Sequence, residues 1–273
     1  MRTVAVVQAR LGSTRLPGKV LLPLAGQPLL SRVMRRAARA RSVDAVVVAT
    51  TTLPSDDRIV ELAEREGWPV VRGSETDLLE RYVQAARSHR ADRVVRITSD
   101  CPLIDPGLID DVAGALDREA GDYASNTLEP RTYPRGLDVE VVTRDALEAA
   151  DRDDHDPASR EHATPFIRRD PKRFRLVRVA GSRDESAHRW TVDTPEDYEL
   201  VRRLYEALGR DDFTWLDALE VANANPAWAR GNRGIRQKAA PGDDAGPTVD
   251  APTVDVPAPD APAPDAASGP GRR

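Results

Sequence analysis

The chain has 273 residues, a single cysteine and a formal net charge of −5, which is length enough for a substantial core. One cysteine excludes an internal disulfide framework and fits a reducing compartment, and no run of eighteen apolar residues offers a membrane-spanning helix. Six Asp and two Arg in residues 239–273 carry −4 of the charge, so the body is near neutral and offers no basic face for nucleic acid. With no signal-peptide pattern ahead of the first apolar run, the expectation is a soluble, cytoplasmic protein that binds neither nucleic acid nor membrane.

Residues 4–7 (VAVV) predict a buried strand. The chain then turns polar at Gln8, and Arg10, Gly12, Ser13, Thr14, Arg15, Gly18 and Lys19 follow within a few positions. Gly12 and Gly18 allow close backbone approach to a ligand, and Pro17 stiffens the turn between them. Such a cationic, glycine-containing loop suits a polyphosphate, because both charge and exposed amides favour an anion. It is not a P-loop: five residues separate the glycines, and Val20 follows Lys19 where Ser or Thr would hold magnesium. No GxGxxG follows the strand either.

Apolar spacing predicts a helix over residues 28–41, a buried strand over 43–50 and a helix over 56–66 closed by Gly67. A short strand at Val70 and Val71, a polar loop over 72–77, a helix over 78–88 and a strand over 93–98 (RVVRIT) come next. Strands alternating with helices through short connections predict an α/β fold with a mostly parallel sheet in three layers. Ligands in such sheets sit beyond the carboxyl ends of the strands. That rule puts residues 10–19, 51–57, 72–77 and Asp100 on one rim.

A helix over residues 108–119 follows. Residues 122–142 read as strand-like and turn-rich, with 137–142 (LDVEVV) packing one face and presenting Asp138 and Glu140 on the other. Residues 143–150 and 159–168 each read as a helix, and 174–179 as a strand. Thr194, Pro195 and Asp197 announce a capped helix that Gly209 would close, and 215–225 forms one more. Residues 1–238 are expected to form one catalytic domain with a small strand-rich insertion at roughly 122–185. Residues 239–273, dominated by Pro, Ala and Asp, are expected to be a disordered, solvated tail.

The loop sequence Gln8-Ala9-Arg10, Ser13-Thr14-Arg15-Leu16-Pro17-Gly18-Lys19 and Gly26-Gln27-Pro28-Leu29 resembles the N-terminal signature of sugar-nucleotide cytidylyltransferases. It is most similar to the 3-deoxy-manno-octulosonate enzymes and the SpsF-type proteins of spore-coat polysaccharide synthesis. Thr98-Ser99-Asp100-Cys101-Pro102 and Val192-Asp193-Thr194-Pro195-Glu196-Asp197 resemble that family's second and third motifs. The resemblance implies a nucleotide-diphospho-sugar transferase-like fold, CTP as donor, Mg2+ as cofactor, a sugar acid as acceptor, pyrophosphate as leaving group and a homodimer. It places Arg10, Arg15 and Lys19 at the triphosphate, with Ala9, Gly12, Ser13 and Thr14 in the loop around it. Asp100 and Asp193 become the metal ligands, which suits magnesium's need for one or two protein carboxylates. Gly73 and Ser74, with the end of the 43–50 strand, fall where the family frames cytosine and ribose. A turn residue before proline and a residue preceding a capped helix are the structural alternatives for the two Asp.

Residues 133–140 and 159–165 resemble segments particular to the SpsF branch. They nominate Arg135, Asp138, Glu140, Glu161 and His162 for the acceptor pocket, with Arg189 beside them and a purely structural role as the alternative. Departures from the octulosonate enzymes, Ser-Asp-Cys-Pro for Gly-Asp-Glu-Pro and unrecognisable sugar-binding segments, leave the acceptor open. Cys101 and the four His show no zinc-ligand spacing. The rival classes are a glycosyltransferase, which would want an Asp-x-Asp where this chain has Asp100-Cys101-Pro102, and a non-catalytic nucleotide-binding module, which would not need two separated metal ligands. A cytidylyltransferase for a polyol phosphate or phosphonate is a closer variant.

Overall fold

The computed structural model describes residues 1–235 and 251–256. Strand β1 (Thr3–Gln8) lies parallel between β4 (Ala45–Thr51) and β6 (Arg93–Thr98), with β5 (Val70–Gly73) beyond β4; a small hairpin, β2 (Pro23–Leu24) and β3 (Gln27–Pro28), stands apart. Both faces of β1 are covered, which is why its apolar run is unbroken. Ala5 and Val7 join one core and Val4 and Val6 the other, as the two-residue period of a strand demands. The first core is closed by helices α1 (Leu29–Ala37), α2 (Asp57–Glu66) and α4 (Pro106–Arg118), with α8 (Pro195–Leu208) and α9 (Trp215–Ala224). The second is closed by α3 (Leu78–Ser88), α5 (Arg144–Asp153) and α7 (Pro165–Arg169).

The strands expected in an insertion extend this same sheet. β7 (Tyr123–Ser125), β8 (Glu140–Thr143) and β9 (Leu176–Gly181) continue it in the order β9-β7-β8-β6, with β8 antiparallel to both neighbours. A central position covers both faces of β8, so Glu140 is buried rather than presented to solvent as the alternating pattern predicted. The expected helix over 159–168 is two short ones, α6 (Pro157–Arg160) and α7. The break falls at residues 161–164, where Ala163 is left-handed and Pro165, lacking an N–H, cannot continue the helical hydrogen bonding.

The tail expectation also needs correcting at one place. Thr253–Val256 forms β10, which pairs in parallel with the edge strand β9, and Val254 and Val256 pack against the first core. Alternating β-branched residues meet an otherwise unpaired strand edge, and covering such an edge is favourable. The rest of the predicted tail, apart from Ala251 and Pro252, lies outside the described residues. Among the described residues no helix is long and apolar enough to cross a membrane.

Because β1, β4, β5 and β6 are parallel, their carboxyl ends share one rim. Gln8 pairs with Ala49 and Thr98, and Thr51 with Gly73. The loops after these strands therefore emerge side by side.

Candidate active site

The loop after β1 is anchored from below. Asp56, buried at the start of α2, accepts hydrogen bonds from the Leu11 amide (2.8 Å) and the Thr51 hydroxyl. The chain folds back so that the Gly18 amide donates to the Leu11 carbonyl at 3.2 Å. Gly18 takes a left-handed φ of 68°, which glycine adopts without steric cost, and a 3-10 turn at Lys19–Leu21 follows. That turn sends the Lys19 side chain inward. Its ammonium donates to Asp100 Oδ2 at 2.7 Å and to Asp193 Oδ1 at 2.8 Å.

Asp193 reaches this point through a tight backbone junction. Arg135 and Arg189 form a bridge, and the Val192 amide donates to the Asp100 carbonyl at 2.8 Å. Gly136, at φ 105°, has no room for a side chain: a Cβ there would stand 2.5 Å from Thr191 N and from the Trp190 carbonyl carbon. The other oxygen of Asp193 accepts from Arg189 Nη2 at 2.9 Å and forms an ion pair with Arg15 Nη2 at 3.1 Å. Burial opposes ionisation of Asp193, but Lys19, Arg15 and Arg189 outweigh it and hold the carboxyl below its ordinary range. Burial likewise works against the Lys19 cation, and the two carboxylates more than offset it, raising its pKa.

Two further members were not nominated for the site from the sequence. Asp197, fully buried, closes the capping box of α8 with Thr194, as its position predicted. It also accepts from Arg189 Nε and Nη2, from the Asp193 and Thr194 amides, and from Asn232 Nδ2, at 2.9 to 3.1 Å. The helix cap thus fixes Arg189 and, through it, Asp193. Asn232, which also donates to the Arg189 carbonyl at 3.0 Å, carries no local motif that would have revealed it.

Other nominated residues fall at graded distances from this cluster. Ala9 is buried at the end of β1, with its amide donating to the Ala49 carbonyl at 3.0 Å. Gly12, Ser13 and Thr14 form the outer part of the loop, where Gly12 and Thr14 are exposed. Arg10 is half-exposed, 3.9 Å from Glu161. Gly73 ends β5, and the Ser74 hydroxyl accepts from the Asp77 amide at 3.1 Å. Asp77 caps α3 and accepts from Arg160 Nε at 2.6 Å, which ties α6 to the 72–77 loop. His162 sits half-buried at the break between α6 and α7.

Arg135 and Arg189 line a cavity of about 630 Å3 with His188, Asn223, Asn225 and Arg233. Asp138 is held by Arg131 at 2.8 Å and by the Gly136 amide at 3.1 Å, at the foot of the tight junction. Glu140 is not brought to the site. It accepts from Arg96, from the Tyr123 hydroxyl (2.8 Å) and from Thr164 Oγ1 (2.6 Å) inside the second core. Cys101, beside Asp100, is buried, and burial pushes its thiol pKa up.

A sequence model of the cytidylyltransferase family matches residues 4–215, spanning every strand-end loop described above. The Bacillus subtilis spore coat polysaccharide biosynthesis protein SpsF is 34% identical over 81% of this chain and 94% of its own. The 3-deoxy-manno-octulosonate cytidylyltransferase of Anaeromyxobacter dehalogenans is 42% identical over 53% of this chain and 60% of its own. Among solved structures, a cytidylyltransferase from Leptospira borgpetersenii superposes with a TM-score of 0.81 at 35% identity, covering 87% of this chain and all of that one. With strand-end loops, sheet and sequence all in agreement, the chain belongs to the cytidylyltransferase family and is a nucleotidyltransferase.

Proposed function

We propose that this enzyme transfers CMP from CTP to a sugar acid with Mg2+ as cofactor, releasing pyrophosphate, and that it acts as a homodimer in surface polysaccharide or glycan synthesis. The observation that carries the reading is the convergence of Asp100 and Asp193 on one cation position beneath the Arg10, Arg15 and Lys19 loop. Magnesium fits this donor set. Two carboxylates reach a single point, now held by the Lys19 ammonium, and magnesium takes one or two protein carboxylates with substrate phosphates completing its shell. Asp100 and Asp193 would hold it, and it would supply charge neutralisation at the α-phosphate and a lowered pKa for the attacking hydroxyl.

The chain's own residues do the rest. Arg10, Arg15 and Lys19 bind the triphosphate and stabilise charge gathering on the leaving pyrophosphate, an electrostatic role. Lys19 is suited to this because its flexible stem reaches both the carboxylates and the loop. Arg189, fixed by Asp197, keeps Asp193 in place. An acceptor hydroxyl attacks the α-phosphorus in line; the new P–O bond forms as the bond to pyrophosphate breaks, and the hydroxyl proton leaves to solvent. The guanidinium of Arg135, which lines the adjoining cavity, suits the carboxylate of a sugar acid. The relatives support the same acceptor class, since one is named for an octulosonate and another for polysaccharide biosynthesis.

The test is pyrophosphate release from CTP with Mg2+ across a panel of 2-keto-3-deoxy sugar acids. Release with at least one acid, dependent on both acid and metal, is expected. No release with any acid, combined with consumption of UDP- or GDP-sugars, would overturn the reading in favour of a glycosyltransferase.

A further inference from the structure

Four arginines are buried among the described residues: Arg32, Arg36, Arg81 and Arg93. Three are fully employed. Arg32 pairs with Asp211 and donates to the Leu24 and Ala25 carbonyls. Arg36 donates to three carbonyls and stacks on Phe213, and Arg93 pairs with Asp117 and Thr3. Arg81, only 4% exposed, is the exception. Its one hydrogen bond is a long one, from Nη1 to the Ala49 carbonyl at 3.5 Å; its Nε is buried without a partner, and among the described residues no carboxylate lies within ion-pair distance. A guanidinium this buried, with its Nε–H unpartnered and its one hydrogen bond long, is costly and calls for an acceptor that arrives from outside.

Its place on the rim says what that acceptor is. Arg81 reaches from α3 to the end of β4, and its stem runs under Gly73, where a Cβ would meet Arg81 Cγ at 2.8 Å. Only glycine at 73 leaves the arginine that path. The phosphate-binding and metal-binding groups stand at the ends of β1 and β6. Thr51 and Gly73 end the next two strands outward, with Ala49 two residues before Thr51. Two strand spacings, about 10 Å, separate β6, which leads into Asp100, from β4, whose Ala49 carbonyl Arg81 meets. This is the reach from an α-phosphate across ribose to a pyrimidine.

We propose that Arg81 reads the pyrimidine: its guanidinium donates to O2 and N3 of cytosine and thereby selects CTP over UTP. Cytosine presents two adjacent acceptors that match the arginine fork, whereas uracil presents one acceptor and an N3–H donor facing another donor. Sites built around such a polar match reject analogues that leave buried groups unpaired. The inference rests on the CTP reading and adds to it the residue that enforces the base.

The experiment is calorimetric binding to the full chain with Mg2+, using CTP, UTP and 3-deazacytidine triphosphate, in which C–H replaces N3. For the wild type, CTP should bind about tenfold or more tightly than either analogue, the factor expected for one hydrogen bond to a charged donor. Arg81→Lys, which keeps the charge but loses the fork, should weaken CTP and leave UTP nearly unchanged. Wild-type protein binding the deaza analogue as tightly as CTP would overturn the proposal whether or not the variant folds. Equal weakening of CTP and UTP by Arg81→Lys would overturn it in favour of a phosphate contact. Absence of any CTP binding by the wild type would instead remove the cytidylyltransferase reading beneath it.

Discussion

Asp193 and Glu140 are both carboxylates with side chains 8% exposed, each ringed by cations, and each titrating below its ordinary range against the opposing effect of burial. They nevertheless do different work. Glu140 stands within β8, flanked by β6 and β7, and its oxygens are taken by Arg96, Tyr123 and Thr164. Asp193 lies beyond the strands, and its partners come from the loop after β1 and the segment before α8; it shares Lys19 with Asp100, whose side chain is 23% exposed. One cluster is closed by the fold and holds the sheet together. The other is gathered from separate loops and left open on one side, where a ligand can replace one of its members.

That contrast can be broken from either end. The largest effect is expected for Glu140→Gln, which leaves Arg96 buried and unpaired and should cost about 3–5 kcal/mol of stability, read as a fall in unfolding free energy. Turnover measured below the unfolding range should be retained; a selective loss of turnover would mean that Glu140 belongs to the site after all. Asp100→Asn and Lys19→Ala should behave in the opposite sense, lowering kcat by about a hundred- to a thousandfold, about 2.7–4 kcal/mol, with little change in Tm. Near-normal kcat in both variants would dismantle the site.

The contrast also predicts a pH dependence. Burial opposes the ionised form of Glu140, but Arg96 and Arg168 outweigh it and hold its pKa below 4.5. A depressed carboxylate stabilises the fold above its unfolded value and loses that contribution as pH falls through the folded one. The stability gap between wild type and Glu140→Gln should therefore be full at pH 7 and shrink below about pH 4.5. A smaller effect, about 1 kcal/mol, is expected for Thr194→Ala, which removes the hydroxyl of the α8 capping box beside Asp193. The smallest belongs to deletion of residues 251–273. Loss of β10 removes only partly buried valines, so kcat should stay unchanged and Tm fall slightly. A collapse of activity would show that the end of the chain reaches the site.

Where local signals were strong, the sequence was legible. Helix α8 runs Pro195–Leu208 with Gly209 left-handed, as the Thr-Pro-x-Asp start and the glycine stop foretold; α3 and β6 have the expected bounds. The gathering of Arg15, Lys19, Asp100 and Asp193 followed from the strand-end rule and the motif order. Long-range contacts were hidden. Asp197 reads as a helix cap, and nothing near Asn232 or Arg81 announces that one braces Arg189 and the other lies under Gly73 with its Nε unpartnered. Glu140 was misplaced because alternation over LDVEVV looks the same for an edge strand with one wet face as for an inner strand with none. β10 was missed for a related reason: four β-branched and acidic residues within Pro- and Ala-rich sequence have strand character only when an open edge is available to pair with.

The central claim is that Asp100 and Asp193 form a divalent-cation site serving CTP. The most direct test is calorimetric titration of CTP into the full chain with and without Mg2+, for the wild type and for Asp100→Asn. Tight binding that requires Mg2+ in the wild type, and loses that requirement along with most of its affinity in the variant, is the predicted result. Equal CTP affinity with and without Mg2+ in both proteins would contradict it.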